Sequence, residues 1–302
     1  VTLSHLPPVG IFTQPRGFFC KAHVSGAIPE DAKSCSRYSL VYAQRVRSVY
    51  ALRLFSPPLQ RRPNLAWLLI KTPSSIAVEL AARTGFGYLC LDMQHGLVTK
   101  EDLVPLLTAA RPEAARTLVR VPSNETGIIG WALDAGATGV IVPMVNSAAE
   151  AQAAVAACRY SPVGIRSVGP TRAATIYGPA YVDRVIERVQ CLPMIETTSA
   201  LHALDDILSV EGVDAIYVGP SDLSTSLGLG PGNHDGEAPF DEALDTIVAA
   251  CQRHGVVPGI HANTALAARR FEQGFKIVTI VEDLGSLNTS FAGALNEFAD
   301  HQ

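Results

Sequence analysis

Residues 191–224 read CLPMIETTSALHALDDILSVEGVDAIYVGPSDLS. Two short apolar runs, Cys191–Glu196 and Ala215–Gly219, flank an amphipathic stretch of helical length, Ser199–Ser209. Strand, helix and strand in that order make a βαβ unit, which belongs to a parallel sheet. Both runs deliver polar residues at their far ends. Glu196 closes the first, and the second runs on into Gly219, Pro220, Ser221 and Asp222.

The alternation continues in both directions. Upstream, strand candidates fall at Trp67–Ile70, Tyr88–Met93, Thr117–Val121 and Gly139–Met144. Helix candidates follow them at Ser75–Thr84, Lys100–Ala110, Thr126–Ala135 and Ala148–Cys158. Downstream come the helix Asp241–His254, the strands Val256–His261 and Ile277–Val281, and their helices Ala265–Gln273 and Leu284–Ala299. Eight strand–helix pairs predict an α/β fold, a (β/α)8 TIM barrel, rather than an open doubly wound sheet. No G-x-G-x-x-G turn follows the first strand, which also disfavours a dinucleotide-binding sheet. Two connections are long: Arg159–Gln190, with GIRSVGPTRA, and Asp222–Asp241, rich in Gly, Pro and Ser. Both are expected at or near the C-terminal ends of the strands, where barrel active sites sit.

The 302 residues are 48% hydrophobic, enough for one barrel and an appendage. The first sixty or so carry many arginines (Arg16, Arg37, Arg45, Arg47, Arg53, Arg61, Arg62) and few acids, so the remainder is distinctly acidic. This asymmetry sets a boundary near Pro63. Residues 1–62 are expected to be an irregular N-terminal extension, disordered or foreign to the fold, and residues 63–302 the barrel. A net charge of -4 leaves no footprint for nucleic acid or an acidic membrane surface, and neither is expected as a partner. No apolar run reaches the length of a membrane span. The six cysteines form no C-x-x-C pair, and Cys90, Cys158, Cys191 and Cys251 lie in or beside apolar segments. Reduced, buried thiols in a cytoplasmic protein are the expectation.

Polar residues gather where five strands end: Asp92, Gln94 and His95 after the second, Arg120 at the third, Glu196 at the fifth, Gly219 to Asp222 after the sixth, and His261 at the seventh. Glu196 and Asp222 come from neighbouring strands, about 4.8 Å apart. Two carboxylates so placed repel unless a proton or cation lies between them, and hard oxygen ligands suit Mg2+ or Mn2+. Equally, each could pair with an arginine such as Arg120 or Arg166. His95 suits proton transfer, since imidazole titrates near neutral pH, and Asp92 could orient it. Arg120 offers a fork for a carboxylate or an enolate oxygen, or an ion pair with Asp92 or Glu196. Ser123, Asn124 and Glu125 read as a helix start, and Asp134 at a helix end reads as a solvated residue.

Taken in order, LDMQHG, LVRVPSN, GATGVIVPMVNSAAEA, RYSPVGIRSVGPTRA, PMIET, VEGVDAIYVGPSDLS and ARRFEQGFKIVTIVEDL resemble the blocks of the HpcH/HpaI aldolase/citrate lyase family, from about Trp67 to Phe298. The resemblance implies a metal-dependent (class II) pyruvate aldolase that cleaves 4-hydroxy-2-oxo acids to pyruvate and an aldehyde. It implies Glu196 and Asp222 as ligands of Mg2+, Mn2+ or Co2+, and His95, oriented by Asp92, as the base. It implies Arg120 at the C2 oxygen of pyruvate, and the backbone of Gly219, Pro220 and Ser221 at its carboxylate. Asp134 matches a position that reaches a neighbouring subunit's site, which implies a trimer-based homo-oligomer, commonly a hexamer. Gln94 stands where Glu is common in the family, and Met194 where many members have Gln.

Four other readings compete. A Schiff-base aldolase needs a lysine in the barrel mouth, and of Lys71, Lys100 and Lys276 only Lys71 ends a strand there. A lyase acting on CoA thioesters and an oxaloacetate decarboxylase belong to the same wider group. The fourth, of a different class, is a non-catalytic metabolite-binding barrel, and the joint presence of His95, Arg120, Glu196 and Asp222 argues against it.

Overall fold

The computed structural model describes residues 65–111, 116–185 and 189–301. The expected extension, residues 1–62, lies outside the described residues. Eight strands close into one parallel barrel in sequence order: β1 Leu65–Ile70, β2 Tyr88–Asp92, β3 Arg116–Arg120, β4 Gly139–Val142, β5 Gln190–Ile195, β6 Ala215–Val218, β7 Val257–His261 and β8 Ile277–Glu282. Helices connect them: α1 Ser75–Arg83, α2 Leu103–Ala109, α3 Thr126–Asp134, α4 Ala148–Cys158, α5 Thr171–Tyr177, α6 Thr198–His202, α7 Leu204–Leu208, α8 Pro220–Ser226, α9 Ala238–His254, α10 Ala267–Gln273 and α11 Asp283–Asp300. The α/β barrel expected from the alternation is therefore the observed fold.

Strand side chains alternate between two faces, and closure turns those faces into an inside and an outside. Trp67, Leu69, Tyr88, Cys90, Leu118, Ile141, Leu192, Met194, Ala215, Tyr217, Val257 and Ile277 form one cluster, the barrel's interior. Their neighbours one residue along, such as Leu89, Val119, Val140, Ile195, Ile216 and Val278, belong to a second cluster packed beneath the helices. Both faces are thus apolar, which is why the strands read as unbroken apolar runs. Trp67 anchors the interior against Tyr88 and Tyr217, with ring centroids 4.8 and 6.3 Å away.

The helices follow the usual amphipathic logic. In α9 the buried residues Phe240, Ala243, Leu244, Ile247, Val248 and Cys251 make one stripe. Arg253 and His254 lie in its last turn, and Gly255 ends it at φ 68°. In contrast, α11 buries no residue, and Leu287, Phe291, Leu295 and Phe298 are all exposed on it. Among the described residues, no helix is long and apolar enough to cross a membrane.

Three expectations need correction. The connection Arg159–Gln190 follows α4 and precedes β5, so it lies at the N-terminal ends of the strands, because barrel helices return antiparallel to them. It carries α5 and a 3-10 turn at Pro179–Tyr181. The connection Asp222–Asp241 does sit at the C-terminal face, but begins inside α8, which Pro220 starts at a position that needs no N–H. The single helix expected over Ser199–Ser209 is two, α6 and α7, separated at Ala203.

Gly139 shows how tightly the interior is filled. A Cβ there would lie 2.5 Å from Gln190 O and 2.9 Å from Leu118 Cδ2. The variant Gly139→Ala is expected to lose about 1–3 kcal/mol of stability in urea denaturation, because backbone cannot give way as a side-chain end can. An unchanged midpoint and slope would contradict this packing.

Candidate active site

The two-residue step that fills the interior also builds the mouth. One step beyond Leu69, Cys90, Leu118, Met194 and Tyr217 stand Lys71, Asp92, Arg120, Glu196 and Gly219, and two steps beyond Val257 stands His261. All face the same opening at the C-terminal end of the barrel. Polar groups were unavoidable there, since the interior below is closed by aromatic and aliphatic side chains.

Arg120 and Asp92 are adjacent across β2 and β3. Nε donates to Asp92 Oδ1 at 2.9 Å and Nη2 to Oδ2 at 2.7 Å, a bidentate pair between buried partners. Burial opposes ionisation of Asp92, but the hydrogen bonds and charge of Arg120 outweigh it and hold the carboxyl below its ordinary range. Desolvation likewise works against the Arg120 cation, and Asp92 more than offsets it. The pairing is side-on, so Nη1 remains outside it. Asp92 Oδ1 also accepts from the backbone N–H groups of Gln94 (3.1 Å) and His95 (3.2 Å), shaping the turn that follows β2. Asp92 therefore meets His95 at its peptide, and His95 is an exposed residue of that turn. Gln94 Oε1 is buried without a partner among the described residues.

Glu196 is placed differently. It is 1% exposed, and Oε1 accepts one hydrogen bond, from the N–H of Met144 at 2.7 Å. Met144 is the one described non-glycine residue with positive φ, at 55°. Such a backbone costs about 1–3 kcal/mol and persists where its surroundings hold it. Asn146 holds it here: Nδ2 donates to Met144 O at 2.9 Å, and Oδ1 accepts from Thr197 Oγ1. Glu196 Oε2 is buried with no hydrogen-bond partner among the described residues. Among the described residues no guanidinium is bonded to Glu196: Arg120 holds Asp92, and Arg166 Nη2 holds Asp134 Oδ1 at 2.5 Å. Burial, and then the charge of Asp222, push the Glu196 carboxyl from the ordinary 4.5 up to about 7, against the Met144 N–H and the Arg120 charge, which pull it down. Gly219 lies against Oε2, and a Cβ there would collide with that oxygen. Asp222 sits exposed in the first turn of α8, and Ser221 beside it is exposed, while Gly219 and Pro220 are buried.

Asp134 ends α3, at the N-terminal ends of the strands and so away from this chain's own mouth. The helix start expected at Ser123 to Glu125 is real, but Glu125 takes the N-cap position without a side-chain cap, and Asn124 Nδ2 instead donates to Glu150 O at 2.9 Å.

The remaining arc was less fully anticipated. Lys71 Nζ lies 2.5 Å from Glu282 Oε2. His261 Nδ1 is 3.3 Å from Tyr217 OH, and that hydroxyl is 2.7 Å from Thr279 Oγ1. Burial, and then the charge of Arg120, hold the His261 imidazole down at about 4, so it is neutral at physiological pH. The signal for Glu282 was faint, because the register shift between Trp67 and Leu68 against β8 breaks the simple two-residue count there. Met144 carried no signal, since its role is played by a peptide.

Comparison with known proteins gives a consistent picture. The family model described as HpcH/HpaI aldolase/citrate lyase matches residues 65–289. A hydroxypyruvate/pyruvate aldolase of Rhizorhabdus wittichii is 38% identical over 231 residues, covering 76% of this chain and 91% of that protein. A 5-keto-4-deoxy-D-glucarate aldolase of Klebsiella pneumoniae is 35% identical over 238 residues, covering 78% and 90%. Among solved structures, an HpcH/HpaI aldolase/citrate lyase family protein from Burkholderia cenocepacia superposes with a TM-score of 0.75 at 29% identity, covering 80% of this chain and 97% of that one.

The raised carboxyl of Glu196 makes a signed prediction. Its stabilising contribution is present below about 4.5 and lost as pH rises through about 7, amounting to roughly 3 kcal/mol of metal-free stability. The uncharged Glu196→Gln escapes this loss. Urea denaturation in chelator at pH 8 is expected to find the variant more stable than the parent by about 1–3 kcal/mol, with the gap closing at pH 5. A gap of the same size at both pH values would show that Glu196 does not ionise against a penalty.

Proposed function

The chain belongs to the HpcH/HpaI aldolase/citrate lyase family and is a carbon–carbon lyase of the aldolase type, and from that premise we propose that it is a divalent-metal-dependent (class II) pyruvate aldolase. Its reaction is the cleavage of 4-hydroxy-2-oxo acids to pyruvate and an aldehyde, and the reverse condensation. The observation that carries this reading is Glu196 Oε2: a buried carboxylate oxygen without a hydrogen donor, close to the charge of Asp222.

Two hard oxygen donors fit Mg2+, Mn2+ or Co2+, and Glu196 with Asp222 would hold the ion. Among the described residues no three His, Cys, Asp or Glu side chains gather to bind a metal, so Glu196 and Asp222 would be its only protein ligands of those kinds. When bound, the ion supplies Lewis acidity towards the 2-oxo acid. Arg120 turns Nη1 to the C2 oxygen, held in place by the pair its other edge makes with Asp92. The backbone around Gly219, Pro220 and Ser221 receives the carboxylate. In cleavage, His95 accepts the proton of the C4 hydroxyl and the C3–C4 bond breaks. The aldehyde departs, and the electron pair passes to pyruvate as its enolate, which is then protonated at C3. Gln94 lines the entrance beside His95. Against the Schiff-base alternative, the Lys71 nitrogen is engaged with Glu282.

We also place the chain in a trimer-based assembly, commonly a hexamer. The exposed apolar residues of α11 support it, and Asp134, at the far end of a helix from its own mouth, matches the position that the family resemblance assigns to a neighbour's site. The described cysteines are free and buried, in keeping with a cytoplasmic setting.

Two measurements test these proposals. Pyruvate release from a panel of 4-hydroxy-2-oxo acids is expected to vanish in chelator and return with Mg2+, Mn2+ or Co2+. Glu196→Ala and Asp222→Ala should each abolish the return, and turnover of either variant at the parent's level would remove that residue from the ligand set. Light scattering after size-exclusion chromatography should give a mass that is a multiple of three protomers, and a monomer or dimer would refute the assembly.

A further inference from the structure

The mouth is divided into two arcs. Asp92, Arg120, Glu196 and Asp222 stand on the arc from β2 through β3 and β5 to α8. Lys71 directly follows β1, and His261 and Glu282 end β7 and β8; β8 is hydrogen-bonded to both β1 and β7. The second arc adjoins the first, because the closed barrel pairs β1 with β2 and β7 with β6. A three-carbon acid seated on the first arc leaves the second to whatever its C3 carbon joins.

We propose that Lys71, His261 and Glu282 form the acceptor half of the mouth and select aldehydes that bear a hydroxyl group and no carboxylate. This rests on the aldolase reading above. The arc offers donors and acceptors side by side. Lys71 and Glu282 are one part-exposed ion pair, with N–H donors and carboxylate lone pairs beyond those they spend on each other. His261 contributes a neutral ring whose Nδ1 is taken by Tyr217, itself tied to Thr279, leaving Nε2 for a ligand. The wall is also rigid. Asp283 accepts from the N–H groups of Lys71 (2.8 Å) and Thr72 (3.0 Å), and Leu97 N–H donates to Lys71 O at 2.7 Å.

A hydroxyl both donates and accepts, so it satisfies such a wall. An alkyl chain strips water from the ion pair and the imidazole and returns nothing. A second carboxylate meets Glu282, and the Lys71 ammonium that could receive it is already engaged by that same carboxylate.

The test uses the full-length protein with Mg2+ and pyruvate, and compares glycolaldehyde, propanal and glyoxylate as acceptors. Glycolaldehyde and propanal differ by a hydroxyl in place of a methyl group. The parent should prefer glycolaldehyde to each of the others by at least about tenfold in kcat/KM. The double variant K71M/E282M, and separately His261→Phe, should bring the glycolaldehyde-to-propanal ratio down to about threefold or less. A ratio is independent of the fraction of active protein, and Glu282→Gln gives a milder substitution that should move it in the same direction. A parent that favours propanal or glyoxylate, or variants that keep the parent's ratio, would overturn the proposal. Exchange of the pyruvate methyl protons in deuterated water is measured in parallel without any aldehyde. Its presence with the wrong preference overturns the acceptor assignment alone, and its absence overturns the aldolase reading and this inference with it.

Discussion

A carboxylate shut away from water without a cation costs several kcal/mol to ionise, and the fold holds Glu196 in that condition from every side. The two-residue step of β5 turns it inward above Met194, whose apolar side chain replaces water beneath it. Gly219 closes in laterally, and Met144 offers a single N–H from a backbone conformation that is itself unfavourable. The two arginines that could have neutralised Glu196 are bound to other carboxylates. A buried acid that no cationic side chain bonds among the described residues suits the divalent ion proposed above, and the charge of Asp222 adds to the demand.

The pairing of Arg120 with Asp92 makes this possible. Had Arg120 turned to Glu196, two buried charges would have cancelled and the mouth would be an inert ion pair. Asp92 prevents that by taking both Nε and Nη2, a geometry that only a planar guanidinium satisfies. Its Oδ1 also fixes the peptides of Gln94 and His95, so one carboxylate sets the arginine's aim and the turn that bears the proposed base. Of the alternatives open in the sequence, Arg120 thus forms the ion pair with Asp92 and still leaves Nη1 for a ligand.

Much of this was legible in the sequence, for identifiable reasons. Strands covered on both faces leave unbroken apolar runs, so all eight could be located to within about two residues. Their polar ends then marked Asp92, Arg120, Glu196 and His261 without coordinates. Connections were harder, because a loop's face depends on whether a strand or a helix precedes it. Arg159–Gln190 was misassigned on that ground, although Arg166 in it does form an ion pair, with Asp134 rather than with a mouth carboxylate. The Met144 turn and the partnership of Lys71 with Glu282 were invisible for different reasons. The first acts through a main-chain N–H that any residue type could supply, and the second joins the two ends of the barrel across its last closure.

That closure explains why the mouth has two chemistries. Around β2 to β6 the buried carboxylates Asp92 and Glu196 are held by Arg120 and by the Met144 N–H, and Glu196 keeps one oxygen without a hydrogen donor among the described residues. Around β7, β8 and β1 the charges are already matched, and His261 is neutral because it is buried, with the charge of Arg120 adding to that effect. Arg120 therefore acts on both arcs at once. Its bond to Asp92 denies it to Glu196, and its positive charge adds to the burial that keeps a proton off His261. The adjacency of β2 and β3 fixes the partner of this one guanidinium, while burial and the Lys71–Glu282 pair set the rest of the contrast between the two halves.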